Sequence, residues 1–412
     1  MSRQSNSLPE PTGLPGLPLT NSQGRKEVLT KIRDLCGWHM NSFPGSQPVS
    51  LSRNNINFLY RDDYVVCEKS DGIRAMLLAA SGAIFLIGRK EEVHRIDMIL
   101  PLRGVVGDRH QLTLLDGELV KDKQNGITRC RYLIFDAISI HRQSVRHYNF
   151  LERLCMVYKD VIQPLLKVDT KKDMPDLVSE WNKVDFPLEI YLKDFFDLSH
   201  LPNLKDISRL LPHTSDGLIF TPVNQPYIPG TCKQLLKWKP PHLNTVDFSV
   251  DILYDEKGLP RLAQLFASVS GTRVFYNEFL SPYGKVYKEL IESAMNEHIV
   301  QRIVECGWVP DKRVWTFIPY LKQNPTNTHR AGNDGKLPYD FDNGEWVLGG
   351  WVAERIRVDK KDPNNINVIT NVKESIEDDI TFGNLIKEIT QIMSQGKKPL
   401  WDKCYMSSSW VG

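Results

Sequence analysis

Lys69 stands between Glu68 and Ser70-Asp71-Gly72, with Arg74 two residues further on. A lysine amine is a nucleophile only when neutral, far below its free pKa of about 10.4, so it needs burial or neighbouring cations to lose its proton. Burial is offered by the apolar runs on either side, Tyr64-Val65-Val66-Cys67 and Ala75-Met76-Leu77-Leu78-Ala79-Ala80. Arg74 offers one cation, and Gly72 lets a ligand's phosphates approach the backbone. A lysine among short-range charges is as often a solvated surface residue, so spacing alone leaves both readings open. Nucleotide chemistry at Lys69 needs further cations from elsewhere in the chain. Lys237 and Lys239, two apart in Leu235-Leu236-Lys237-Trp238-Lys239-Pro240, fall on one side of a strand, where they hold an anion between them or form a solvated edge.

The elements that must position these groups are short strands. Around Lys69 the pattern is strand, tight connection, strand, turn, strand, ending with Ile84-Phe85-Leu86-Ile87. Leu112-Thr113-Leu114-Leu115-Asp116-Gly117-Glu118-Leu119-Val120 reads either as a hairpin turn at Asp116-Gly117 or as a continuous strand that aims Glu118 into a cleft. In the strand Arg131 to Ile138, Phe135 is a core residue or a platform for stacking a base. His213 to Phe220 repeats the acid-glycine-apolar theme at Asp216-Gly217. Upstream, the apolar face Val28, Leu29, Ile32, Leu35 predicts a helix, and Phe43-Pro44-Gly45-Ser46-Gln47-Pro48-Val49-Ser50-Leu51 reads as a rigid connector. After Pro240-Pro241, strands resume at Thr245-Val246-Asp247, with a helix near residues 287–300. This alternation suits a small barrel. Residues 322–345, rich in Asn, Gly, Pro and Asp, are expected to form a long flexible excursion. Apolar spacing marks two terminal helices, one through Ile366, Ile369, Val372 and Ile376, the other through Leu385, Ile386, Ile389 and Ile392.

Composition narrows the class. With 412 residues and 41% hydrophobic content, one to three ordinary domains are expected. A net charge of +2 excludes a general nucleic-acid coat, so any such contact needs a local basic groove. The seven cysteines stand singly, which argues against a disulfide framework or a zinc site and favours a reducing compartment. No apolar run is long enough to span a bilayer and no secretory signal is expected, which points to the cytosol or nucleus.

The ordered set KSDGIR, LLDGELV, RYLIFDAI, SDGLIF, LLKWKP and RIRVDK resembles the covalent nucleotidyltransferases, the superfamily of capping enzymes and ATP- or NAD-dependent ligases. Within it the chain is most similar to the eukaryotic messenger-RNA guanylyltransferases, through FPGSQPVSL before Lys69, NTVDF after the two lysines, IVECGW near residue 303 and RVDKKDPN. The single-function form typical of fungi fits, since no phosphatase-like cysteine loop precedes Lys69. The resemblance implies an α+β fold: a ligase-type, ATP-grasp-like nucleotidyltransferase domain of antiparallel sheets and helices, then an OB-fold β-barrel. The boundaries expected are a flexible tail over 1–24, the nucleotidyltransferase domain over 25–244, and the OB-fold domain with C-terminal helices over 245–412.

Carried over residue by residue, the resemblance implies that Lys69 attacks the α-phosphorus of GTP to form a lysyl-GMP phosphoramidate. Arg74 and Glu118 would hold the ribose and Phe135 would stack on guanine. Asp216 would lie near the α-phosphate and its metal, Mg²⁺ or Mn²⁺. Lys237 and Lys239 would bind the α-phosphate, with Arg357, Asp359 and Lys360 over the β- and γ-phosphates and Asp247 acting in the same closed state. The neighbouring cations Lys237, Lys239, Arg357 and Lys360 would disfavour protonation of Lys69. Implied partners are the 5′ end of nascent RNA, the phosphorylated C-terminal repeats of RNA polymerase II's largest subunit, and a separate RNA triphosphatase, all in the nucleus. Residues 142–159, basic and aromatic, are a candidate phosphoserine surface. Two other readings share these features: an ATP-dependent polynucleotide ligase, and a non-catalytic RNA- or polymerase-binding scaffold.

Overall fold

The structure, a computed structural model, describes residues 13–104, 108–124, 126–167, 188–310, 314–321 and 339–400. They form two compact units: residues up to Trp238 together with those from Phe382 on, and Lys239–Thr381.

In the first unit the strands are β1 (Leu17–Pro18), β2 (Gln47–Ser50), β3 (Tyr64–Ser70), β4 (Ile73–Ala80), β5 (Ala83–Gly88), β6 (Val93–Ile96), β7 (Thr113–Gln124), β8 (Ile127–Ile140), β9 (Gln143–Ser144), β10 (Glu189–Leu192), β11 (Phe196–Asp197), β12 (Ser215–Pro222) and β13 (Thr231–Trp238). They divide into two sheets, β1-β6-β5-β4-β7-β8-β10 with β9 on β8, and β11-β3-β12-β13-β2. Pairing is antiparallel except for β8 with β10 and β13 with β2.

The continuous apolar run of β4 follows from its place. Ala75, Leu77 and Ala79 face the core shared with Val65 and Cys67 of β3. Met76, Leu78 and Ala80 face the other way, against Val28, Leu29, Ile32 and Cys36 of the helix Ser22–Cys36. A strand covered on both faces has no polar alternation.

Strand, connection and strand are all present around Lys69, but β3 and β4 belong to different sheets. Asp71-Gly72 therefore carries the chain across from one sheet to the other. A Cβ on Gly72 would collide with the Leu119 carbonyl oxygen, so the glycine serves a close backbone approach. The sequence reading assigned that freedom to phosphates. Asp116-Gly117 likewise does not reverse the chain: β7 runs through it with a register shift against β8. A Cβ on Gly117 would press on the Tyr132 ring, 2.5 Å from Cζ.

The expected tail is shorter than 1–24 on the described side. Leu17–Pro18 pairs with β6, and the helix begins at Ser22 because the Asn21 side chain accepts from the Gln23 and Gly24 amides. Residues 1–12 lie outside the described residues. The last helix, Phe382–Ser394, belongs with the first unit rather than with the barrel. Glu388 accepts from the Tyr60 hydroxyl at 2.5 Å, and the Phe382 ring lies 5.8 Å from that of Trp238.

The second unit holds β14 (Thr245–Tyr254), β15 (Pro260–Val269), β16 (Thr272–Phe279), β17 (Arg302–Val309), β18 (Trp315–Leu321), β19 (Tyr339–Leu348) and β20 (Gly350–Ile356). An antiparallel sheet, β16-β15-β14-β17-β20, and the hairpin β18-β19 form an OB-like half-barrel. Phe248, Val304 and Trp351 fill its core, and Phe275, Phe279 and Phe317 tie the hairpin to β16. The expected helix near 287 runs Lys285–Ala294, and Ile366–Glu377 is helical as its spacing required. Of the expected excursion 322–345, residues 322–338 lie outside the described residues, whereas Tyr339 onward is strand. Among the described residues, no helix is long and apolar enough to cross a membrane.

Candidate active site

A cleft of about 960 Å³, its open mouth included, lies in the first unit and is lined by Lys69, Arg74, Glu118 and Phe135. That size lies within the roughly 300–1,000 Å³ of small-molecule sites. Lys69 is next to last in β3, and β12 lies antiparallel beside it. Ser215 pairs with Ser70 and Gly217 with Lys69, so Asp216 is an extra residue at a bulge. Bulges re-aim side chains, and here Asp216 Oδ1 comes 2.7 Å from Lys69 Nζ. Both side chains keep about a quarter of their surface exposed, 24% and 22%. Among the described residues, Asp216 is thus the carboxylate paired with the Lys69 ammonium.

The neighbours of Lys69 point the opposite way, as strand geometry requires. Glu68 and Ser70 are buried, and Lys193 Nζ donates to Glu68 Oε1 and to Ser70 Oγ, each at 2.5 Å. His213 extends the network: Nε2 is 3.4 Å from Ser70 Oγ, and Nδ1 is 2.9 Å from Asp122 Oδ1. Burial alone would raise the Glu68 carboxyl, but Lys193 and His213 outweigh it and hold it below the ordinary range. Burial likewise disfavours the Lys193 ammonium, and Glu68 more than offsets this.

Arg74 is buried in β4. Its Nε and a terminal nitrogen bind the two oxygens of Asp116 at 3.0 and 2.6 Å. Glu118 is the residue opposite Arg74 in β7, yet the guanidinium goes to Asp116. Burial raises the Glu118 carboxyl above its usual range despite Lys193, Arg74, Arg89 and Lys69 nearby. Phe135 is half-buried beside this pair, with the Arg74 guanidinium carbon 5.3 Å from its ring centroid.

Lys237 lies on β13 opposite Ile219 of β12, two residues beyond Gly217. The strand ends at Trp238, so Lys239 falls just past it, where the division between the units begins. In the second unit Asp247 and Glu305 are opposite one another on β14 and β17. Arg357 lies 3.3 Å from Asp247 and 3.5 Å from Glu305, and binds Asp359 through two nitrogens at 2.8 and 2.6 Å. Lys360 also reaches Asp247, while Arg355 binds Glu305 at 2.6 Å. Asp359 raises the Arg357 guanidinium further, and its own carboxyl is held well below the usual range by Arg357. In the second unit, Arg357 and Lys360, assigned to phosphates, are therefore matched to carboxylates.

Thus Lys69, Arg74, Glu118, Phe135 and Asp216 come together in the first unit, with Lys237 on the strand next to that of Asp216. Asp247, Arg357, Asp359 and Lys360 form their own cluster in the second. Sequence reasoning missed Lys193, Arg89, Asp116 and Tyr227. Lys193 carried a usable signal, since Ile190-Tyr191-Leu192 and Phe195-Phe196 enclose it in apolar residues much as Lys69 is enclosed. Residues 142–159 are less available than their composition suggests. Arg153 is buried against Asp136, and Arg146 donates to the Cys36 carbonyl, which leaves Arg142, His147 and Lys159 exposed.

The chain resembles known proteins over most of its length. The family described as mRNA capping enzyme, catalytic domain, matches residues 10–241, and mRNA capping enzyme, C-terminal domain, matches residues 338–386. The mRNA-capping enzyme subunit alpha of Schizosaccharomyces pombe is 30% identical over 413 residues, covering 95% of this chain and 91% of that protein. The corresponding subunit of Kluyveromyces lactis is 30% identical, covering 87% and 79%. The mRNA-capping enzyme of Mus musculus is 31% identical over 90% of this chain and 54% of its own length. With the catalytic match spanning more than half of its length, this chain belongs to the mRNA capping enzyme family.

Proposed function

We propose that this chain is an mRNA guanylyltransferase that moves GMP from GTP to the 5′-diphosphate end of nascent RNA through Lys69. The observation that carries the reading is the Lys69–Asp216 pair, 2.7 Å apart beside a cleft that also presents Arg74, Glu118 and Phe135. In the first step the Lys69 amine attacks the α-phosphorus, the bond to the β-phosphate oxygen breaks, and pyrophosphate leaves. The proton lost from Nζ has Asp216 beside it as an acceptor. In the second step a terminal oxygen of the RNA diphosphate attacks the same phosphorus, the P–N bond breaks, and the lysine regains a proton. Such transfers depend on positioning and on cations facing developing negative charge.

Phe135 offers a ring face for guanine, with Arg74 and Glu118 on the sugar side. Lys237 and Lys239 serve the α-phosphate. Arg357, Asp359, Lys360 and Asp247 serve the β- and γ-phosphates. For the second-unit cations, the phosphates must compete with Asp247, Glu305 and Asp359, so their engagement is an exchange of ion pairs.

Among the described residues no group of three or more His, Cys, Asp or Glu gathers as a ligand set. One carboxylate plus phosphate oxygens and water is nonetheless the donor set Mg²⁺ favours, and Asp216 beside Lys69 fits it. The ion would offset triphosphate charge.

By the same reading the protein works in the nucleus, on RNA emerging from RNA polymerase II, with the phosphorylated repeats of that enzyme and an RNA triphosphatase as partners. Arg142, His147 and Lys159 are the exposed cations and imidazole available to a phosphoserine. Incubation with radiolabelled GTP or ATP and Mg²⁺, followed by denaturation, tests the activity. A covalent GMP label supports it, an AMP label indicates a polynucleotide ligase, and no label from a folded chain indicates a scaffold.

A further inference from the structure

The segment Phe43-Pro44-Gly45-Ser46, a plain connector by sequence, is tied to residues of the cleft, which Ser46 and Tyr227 both line. The Arg74 guanidinium carbon lies 5.6 Å from the Phe43 ring centroid and 5.3 Å from that of Phe135, so an aromatic ring stands near it from two separate segments. The Tyr227 hydroxyl donates to Asp116 Oδ2 at 2.5 Å, and the Tyr227 hydroxyl oxygen itself accepts from the Ser46 backbone amide at 3.0 Å. A relay therefore runs from Ser46 through Tyr227 to Asp116, which holds Arg74 with both oxygens. All four residues and Phe43 are buried. Burial, and then the Asp116 charge, keep the Tyr227 phenol far above its usual range, so it remains a donor.

The segment itself is pinned. The Gly230 amide donates to the Pro44 carbonyl at 3.3 Å, and the Gln47 amide donates to the Gly230 carbonyl at 2.6 Å. Gly45 leaves the room this needs, because a Cβ there would collide with the Phe43 ring and come within 2.8 Å of an Arg74 nitrogen. Nothing about Lys69 itself requires this construction, and Asp116 alone satisfies the charge of Arg74. What the extra parts add is direction.

We infer that Phe43, Gly45 and Tyr227 are positioning residues for Arg74, and that by fixing its guanidinium they set how strongly the cleft selects a nucleotide with an intact ribose. The inference rests on the proposed reading of Arg74 as a ribose-side residue. An unrestrained arginine explores many rotamers, and ordering it on binding weakens affinity. Held by a carboxylate and close to two rings, it is ordered before the nucleotide arrives. A site built to bond a hydroxyl then rejects an analogue that lacks it, because the site's own polar group is left unpaired.

The test uses the full chain carrying Tyr227→Phe or Phe43→Leu, with GTP, 2′-deoxyGTP and 3′-deoxyGTP as substrates for covalent GMP transfer. Tyr227→Phe is expected to raise the KM for GTP about tenfold with the maximal rate nearly unchanged, as loss of a hydrogen bond to a buried charge would do. The preference for GTP over the deoxy analogues should fall by a similar factor. Phe43→Leu, which keeps apolar bulk and removes the ring face, should shift both in the same direction. Unchanged sugar preference in both variants overturns the inference, and so does an equal loss on all three nucleotides, which marks a merely structural role. If the unmodified chain forms no GMP adduct, the proposed function fails and takes this inference with it. A normal adduct with unchanged preference in the variants sinks the inference alone.

Discussion

Lys193 Nζ stands 2.5 Å from Glu68 Oε1, and both residues line the cleft beside Lys69. The two side chains are only 5% and 4% exposed, so the pair is matched inside the protein. Glu68 and Ser70 flank Lys69 and are both bonded to this one ammonium, which fixes the strand end.

Removing one partner of a buried pair leaves the other charge uncompensated, at a cost of about 3–5 kcal/mol. Lys193→Met should therefore lower the urea midpoint markedly, and adding Glu68→Gln to it should recover part of the loss. A Lys193→Met midpoint equal to that of the unmodified chain would show that the pair does not hold the strand.

Glu68 also sets a pH dependence. Its folded pKa is depressed by Lys193 and His213 against the opposing effect of burial. The stability it contributes is thus present above the unfolded carboxylate value of about 4.3 and is lost as pH falls through the lower folded value. Urea midpoints taken from about pH 6 to about pH 3 should fall less steeply in Glu68→Gln than in the unmodified chain. Parallel curves would contradict the assignment.

Glu118 has the opposite sign, because burial raises its carboxyl. Its charging costs folding free energy as pH rises from the ordinary carboxylate range through the raised value, so Glu118→Gln should gain relative stability over that interval. If its carboxylate also holds the ribose, the KM for GTP should drop over the same interval in the unmodified chain and stay flat in the variant. A KM profile identical in both would exclude that role.

Gly72→Ala tests the crossing between the sheets. Its Cβ would meet the Leu119 carbonyl oxygen and lie 2.9 Å from Glu118 Cγ. Overpacking of this kind costs about 1–3 kcal/mol, and the displaced backbone lies between Lys69 and Arg74. GMP transfer should fall by more than the loss of folded protein accounts for, measured by denaturant titration beside adduct yield. Transfer that merely tracks the folded fraction would argue that the crossing has no bearing on the site.

Much of this was legible in the sequence where the signal is local. The unbroken apolar run of β4 announced a buried strand and the apolar spacing of residues 28–36 announced a helix, and in the structure that helix covers one face of the strand. Lys69, Glu118, Phe135 and Asp216 stood out because acids, glycines and aromatics interrupt apolar runs. What was hidden is long-range pairing. Glu68 finds Lys193 125 residues away and Asp116 finds Tyr227 111 residues away, and no period or turn signal encodes such partners. Asp71-Gly72 looked like a hairpin because a tight turn and a sheet-to-sheet crossing need the same small residues. At Asp116-Gly117 the sequence left a turn and a continuous strand both open, because close packing on Tyr132 selects glycine as a turn does, and the strand is what forms.

The most direct measurement is to incubate the full chain with GTP and Mg²⁺, digest it under conditions that preserve a P–N bond, and locate the added GMP by mass spectrometry. The expected result is GMP on Nζ of Lys69 and no adduct from Lys69→Ala. GMP on any other side chain, or cap formation that persists in Lys69→Ala, would contradict the account.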